Sequence, residues 1–194
     1  MPSPVTLPGL PVPYGATLMG TKQVYPGRYE PETILRLIEE EQVTYSHCVP
    51  TVLQMILGHP AAAKTDLSRW KVIIGGARLN KGLALAAMEK GIQIYASYGM
   101  SETCPLATRA NLKNHMLGRP PHELVDTLIM TGLPAPFVYV RIFDPAGQEV
   151  LHDGVSTGEV CLRAPWLTQT YWKTRSAPKN YGVTDGCIRA ISVI

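Results

Sequence analysis

The sequence predicts an α/β fold: a mostly parallel sheet with flanking helices, followed by a small antiparallel or β-barrel-like portion. Three observations carry that expectation. Strand-like and helix-like segments alternate with short connections from about residue 16 to 103, the pattern of parallel strands covered by helices. From about residue 134 the segments become short and β-like around an Asp-Pro-x-Gly turn at Asp144 to Gly147. The 194 residues, 45% of them apolar, suffice for a packed core.

The elements follow in order. "MPSPVTLPGLPVPYG" holds five prolines and two glycines, and proline both removes a donor and fixes its own torsion, so residues 1–15 read as an irregular lead-in. "KQVYPG" is strand-like. In "PETILRLIEEEQ", Pro31 suits a first helical turn and Ile34, Leu35 and Ile38 share one face, with acids on the other. "VTYSHCVP" is a strand candidate halted by Pro50, and "TVLQMILG" a short apolar helix ending at Gly58. "WKVIIGG" reads as a buried strand, and "LNKGLALAAMEKG" as a helix with Lys90 in its last turn and Gly91 as its stop. "IQIYASYG" completes the series, so residues 16–133 form an α/β subdomain, with 110–133 ambiguous. "PFVYVRIFDPAGQEV" and "GEVCLRAPW" place a β-rich subdomain at 134–178, and residues 179–194 read as an irregular tail.

Composition narrows the function classes. The formal charge of +3 is spread along the chain with no basic block, which gives no warrant for nucleic acid or an anionic membrane as partner. No apolar run approaches the ~20 residues of a membrane span and no leader pattern opens the chain. Cys48, Cys104, Cys161 and Cys187 lie far apart, fit neither metal-ligand spacing nor a disulfide framework, and read as buried small apolar residues in a reducing compartment. The expected location is the cytoplasm.

Two stretches carry chemistry. In "VIIGGARLNK", two glycines directly after a strand let a ligand approach the backbone, at the carboxyl edge where open sheets bind ligands. Taken alone they read more readily as a tight turn, since the spacing fits neither the dinucleotide fingerprint nor a phosphate loop. In "YASYGMSETC", Tyr98 offers a stacking face, Gly99 a close backbone, Ser101 a hydroxyl and Glu102 a hard oxygen ligand suited to magnesium. Singly these residues are a core aromatic, a turn cap and a solvated acid. Together, at the rim of a sheet beside a Gly-Gly turn, they point to a nucleotide site.

"GGARLNKGLALAAMEKGIQIYASYGMSET" resembles the segment of AMP-forming acyl-activating enzymes that runs from a Gly-Gly-Ala turn to a Tyr-Gly-Met-Thr/Ser-Glu motif. Flanking stretches resemble the same family, so the likeness covers roughly residues 14 to 175 and is nearest in style to medium- and long-chain fatty-acyl-CoA ligases. The resemblance implies that Gly75, Gly76 and Ala77 border the adenine and the acyl tunnel and that Tyr98 stacks on the adenine. It implies that Gly99 and Met100 lie beside the acyl group, that Ser101 binds the α-phosphate or acyl carboxylate, and that Glu102 holds magnesium. It further implies ATP or AMP, Mg2+ and coenzyme A as cofactors and substrates, with a fatty acid as the activated acid.

Departures from the family qualify this. No Ser/Thr/Gly-rich loop ending in Pro-Lys occurs in these 194 residues, nor does the small C-terminal domain with its catalytic lysine. The expectation is therefore the central fragment of a larger N-terminal domain, inactive by itself, with sheet edges prone to associate. The alternative is a non-catalytic remnant or weak adenine-nucleotide-binding module. Where the family carries Asp-Gly-Trp and then Thr-Gly-Asp for the ribose, this chain reads Asp185-Gly186-Cys187-Ile188-Arg189-Ala190. Codons for Cys187 to Val193 exist that, shifted by one base, spell His-Thr-Gly-Asp-Ile-Gly, and a frame-shifted tail is the expectation the gene sequence checks.

Overall fold

The computed structural model describes residues 5–7, 12–168, 183–184 and 187–190. They fall into two compact units: Met1–Gly99 with Arg109–Leu133, and Met100–Thr108 with Pro134–Ile194.

In the first unit the strands are β1 (Val5–Leu7), β2 (Lys22–Gln23), β3 (Tyr45–Cys48), β4 (Lys71–Ile74) and β5 (Gln93–Tyr98). They pair in the order β2-β1-β3-β4-β5, all parallel. Two-residue strands β6 (Thr108–Arg109) and β7 (Leu133–Pro134), where the chain passes between units, continue the order and make the sheet mixed. The helices are α1 (Val12–Leu18), α2 (Pro31–Glu40), α3 (Pro50–Gly58), α4 (Lys81–Glu89) and α5 (Pro121–Leu128).

Local sequence explains most of these boundaries. Pro31, Pro50 and Pro121 each stand in a first helical turn, where the missing N–H costs nothing. Asn80 caps α4 by accepting from the Leu83 N–H at 2.8 Å, and Gly91 follows its end with φ +78°, a left-handed conformation that glycine tolerates.

Strand alternation then builds the core. Ser46, Val72 and Ile94 are register partners, as are Cys48, Ile74 and Ala96. Val72, Ile74 and Ile94 pack with Ile34, Leu35 and Ile38 of α2, Leu53 and Ile56 of α3, Ala84 and Ala87 of α4 and Val125 of α5. Trp70, just before β4, is buried in the same core, and its Nε1–H donates to the buried Ser46 hydroxyl at 2.7 Å. A core indole is tolerated because its one polar atom has this partner.

The second unit contains a four-stranded antiparallel sheet in the order β10-β11-β9-β8, from β8 (Tyr139–Phe143), β9 (Glu159–Arg163), β10 (Val183–Thr184) and β11 (Cys187–Ala190). After β8 the expected turn forms: the Gly147 N–H donates to the Asp144 carbonyl at 3.0 Å, and the Gln148 N–H to Asp144 Oδ1 at 2.8 Å. The described strands form an open sheet rather than a closed barrel.

Several local readings differ from this structure. The lead-in holds β1, an interior strand between β2 and β3, because Val5-Thr6-Leu7 is a proline-free interval of good strand formers. Pro13 lies at the start of α1, where a helix accepts it. The ambiguous stretch holds α5, whose Leu124, Val125 and Leu128 are buried. The tail supplies β11, paired with β9 through Ile188 and Leu162, while residues 191–194 and most of 169–186 lie outside the described residues. Cys104 is exposed rather than buried, because it sits in a left-handed turn with φ 54°. Cys161 is buried as expected, and burial pushes the Cys48 thiol up to about 12, which leaves it an inert packing group.

Replacing Ser46 by Ala removes the acceptor of the buried Trp70 N–H. The expected loss is about 1–3 kcal/mol of stability in urea unfolding, with little change in the m-value.

Candidate functional site

Because β3, β4 and β5 are parallel and in register, their carboxyl ends Cys48, Ile74 and Tyr98 share one edge of the sheet. Ligands of open α/β sheets gather at this edge. Gly75, Gly76 and Ala77 leave it directly after β4, while Tyr98 is the last residue of β5 and Gly99 follows it.

Gly75 is buried and its N–H donates to the Cys48 carbonyl at 3.2 Å, extending the sheet by one bond. A Cβ there would lie 2.8 Å from Ser97 Oγ and 3.1 Å from His47 Nε2. The position is filled by its neighbours, which accounts for the first glycine by close packing. Gly76 turns the chain at φ +81°, and its missing Cβ would lie 3.1 Å from Val49 Cγ1. Gly76 and Ala77 are exposed. Tyr98 is half-buried, and burial raises its phenol above the ordinary tyrosine value, so it is a neutral ring at any physiological pH.

His47 and Ser97 escaped the sequence reading. Ser97 Oγ donates to the Ile74 carbonyl at 3.0 Å, and burial lowers the basicity of the His47 imidazole. The signal was present in the alternation. Within β3 and β5 the odd-numbered residues leave the core face, which brings 47 and 97 to the glycine after β4.

Met100, Ser101 and Glu102 follow Gly99 in the chain and open the second unit. Ser101–Thr103 forms one 3-10 turn, with Ser101 exposed, Met100 and Glu102 half-buried and Thr103 buried. Thr103 is the anchor: its hydroxyl accepts from the Met100 N–H at 3.0 Å and lies 2.9 Å and 2.7 Å from the carbonyls of Met100 and Pro105. The Trp166 indole N–H donates to the Thr103 carbonyl at 3.1 Å, and the Thr168 N–H to the Glu102 carbonyl at 3.1 Å. The backbone is thereby tied down while Ser101 stays exposed.

Among the described residues no three His, Cys, Asp or Glu side chains gather to hold a metal ion. Magnesium asks less of a protein: one or two carboxylates suffice when phosphates supply the other oxygens. A single half-buried carboxylate such as Glu102 is compatible with that requirement. Among the described residues no helix is long and apolar enough to cross a membrane.

A glycine turn and a half-buried tyrosine gathered at the carboxyl ends of parallel strands mark the ligand-binding edge of an open α/β sheet. The AMP-binding enzyme family matches residues 8–172, and the chain belongs to that family. It is 32% identical over 180 residues to a long-chain-fatty-acid–CoA ligase of Thermus thermophilus, covering 92% of this chain and 33% of that one. It is 33% identical over 167 residues to a 3-methylmercaptopropionyl-CoA ligase of Ruegeria lacuscaerulensis, covering 84% and 31%. The chain thus spans about a third of the length of these curated relatives. Among solved structures, the N-terminal domain of FACL13 from Mycobacterium tuberculosis superposes with a TM-score of 0.79 at 20% identity, over 96% of this chain and 46% of that one. The amide bond synthetase McbA from Marinactinospora thermotolerans gives 0.78 at 25% identity, over 97% and 38%. The resemblance read from the Gly-Gly-Ala and Tyr-Gly-Met-Ser-Glu stretches is borne out at the level of family and fold.

Replacing Gly75 by Ala forces a methyl into contact with Ser97 and His47, and the expected cost is roughly 1–3 kcal/mol in thermal or urea unfolding. His47 adds a pH dependence. Its folded-state value lies below the ordinary 6.5, so the unfolded chain binds the proton first as pH falls. The contribution of His47 is complete above about pH 6.5 and is lost as pH drops toward its folded value. Melting curves from pH 7.5 to 5 should therefore fall more steeply for the parent chain than for His47→Asn.

Proposed function

We propose that this chain forms part of the adenylate-holding domain of an ATP-dependent, AMP-forming acid–CoA ligase that activates an aliphatic acid. The reading is supported chiefly by one arrangement: the Gly75-Gly76 rim and the Tyr98 ring leave adjacent parallel strands at the same edge of the sheet, in a chain of the AMP-binding family. The two curated relatives, both named as CoA ligases, agree with it.

In this reading Tyr98 stacks on the adenine, and Gly75, Gly76 and Ala77 let the nucleotide and the acyl group pass close to the backbone. Gly99 and Met100 border the acyl group. The Ser101 hydroxyl donates to an oxygen of the α-phosphate or of the acyl carboxylate. Glu102 would hold the magnesium, which when bound neutralises charge on the phosphates. The acid's carboxylate oxygen attacks the α-phosphorus, the bond to the leaving pyrophosphate breaks, and an acyl-adenylate results. The thiolate of coenzyme A then attacks the acyl carbonyl and AMP departs. Side chains do no covalent work in either step, so their contribution is positioning and charge stabilisation.

Stacking is worth ~1–3 kcal/mol and a charge-assisted hydrogen bond ~1.5–3, whereas enzymes lower barriers by about 8 kcal/mol or more. These 194 residues hold no phosphate loop, so binding without turnover is the expected behaviour of the chain by itself.

Calorimetric titration with AMP tests the reading. Binding is expected, weakened about 5- to 100-fold by Tyr98→Ala and little changed by Tyr98→Phe. Equal affinity in the parent chain and Tyr98→Ala would overturn the stacking role. Pyrophosphate release from ATP and an aliphatic acid, expected to be absent, separates a self-sufficient ligase from a binding fragment.

A further inference from the structure

Strand alternation leaves a second set of residues on the sheet face away from the helical core. Tyr45, Lys71 and Gln93 form one register row, and His47, Ile73 and Tyr95 the next. Gly75 and Ser97 stand two residues further along the same face, at the carboxyl edge. None of these residues is acidic.

Onto this face comes Arg109 from β6. Its guanidinium stands 5.6 Å from the centroid of the Tyr95 ring, and its charge acts on the Tyr45 phenol against the effect of burial there. Arg109, Tyr45 and Tyr95 are all half-buried. Nη2 of Arg109 donates to the neutral Asn111 Oδ1 at 2.7 Å, and among the described residues no carboxylate pairs with this guanidinium. An arginine stays charged at any accessible pH, and a partly desolvated cation without a counter-charge is costly. The ring contact recovers only part of that cost. Lys71, exposed on the same face, adds a second positive charge.

We propose that Arg109, with the Tyr45 phenol as a second donor, receives a carboxylate at the far end of the acid being activated, so that the substrate class is an aliphatic dicarboxylate. This rests on the reading of Gly75 and Gly76 as the border of the acyl group. From that rim the Tyr95 row lies back along β5 by two residues, about 7 Å. A chain of that order would span from the reacting carboxyl to Arg109. Arginine suits the task because its planar fork binds carboxylates through paired hydrogen bonds.

The test is titration calorimetry on the 194-residue chain with adipate and suberate against hexanoate and octanoate. At least one dicarboxylate should bind about tenfold or more tightly than its monocarboxylate partner. Arg109→Leu should erase that preference, and Arg109→Lys should keep part of it. Equal binding of the two classes by the parent chain would overturn the proposal without any variant, as would an unchanged preference in a folded Arg109→Leu chain or no carboxylate binding at all. Inorganic phosphate binding as tightly, with the same dependence on Arg109, would overturn the substrate assignment in favour of a free-anion site. AMP binding with no dicarboxylate preference defeats this inference alone. A dicarboxylate preference without AMP binding defeats the nucleotide reading and leaves the carboxylate subsite standing.

Discussion

Three short parallel strands, β3, β4 and β5, impose the constraint on which everything else depends: neighbouring residues must point to opposite faces. In a parallel ladder in register, that rule sorts side chains by parity. Ser46, Val72 and Ile94 go to the helices, and Tyr45, Lys71 and Gln93 go the other way. A one-residue slip of β4 would exchange its two sets and bury Lys71 in place of Val72. The apolar set therefore holds the register, and the register delivers the polar set to its face. Packing on one side and chemistry on the other are two results of a single choice of alignment.

The second half of the motif is held by different physics. Around Ser101 and Glu102 there is no ladder, and the conformation is kept by the Thr103 hydroxyl, the Trp166 indole and the Thr168 amide, each satisfying a nearby backbone group. Such a turn has many local bonds and little buried apolar area, apart from Thr103 itself. Its rigidity depends on polar geometry more than on exclusion of water, and the residue that faces outward does so because its neighbours are committed to the backbone.

How much of this could be read in advance depended on whether the deciding signal was local. α2 and α4 were legible because a helical repeat with Pro31 or Gly91 at one end is a short-range pattern. β3, β4 and β5 were legible because apolar strands between helices leave few other options. β1 was not: its proline-rich surroundings argue against any strand, and only pairing on both sides, through Val5 with Lys22 and Thr6 with Tyr45, makes it one. α5 was obscured by a short, weakly apolar stretch whose helix depends on burial of Leu124, Val125 and Leu128. At the site, the glycines and Tyr98 stood out as unusual residues at a strand end. His47 and Ser97 did not, since their meeting at Gly75 is a matter of three strands in register.

That meeting has an evolutionary corollary. The space beside the backbone after β4 is a fixed volume shared by three side-chain positions, and in this chain position 75 contributes nothing to it while 47 and 97 fill it. Among relatives, drift at these sites should be correlated: a bulkier residue after β4 is compatible only with smaller ones on β3 or β5. The packing at that point would then be inherited as a triplet rather than residue by residue.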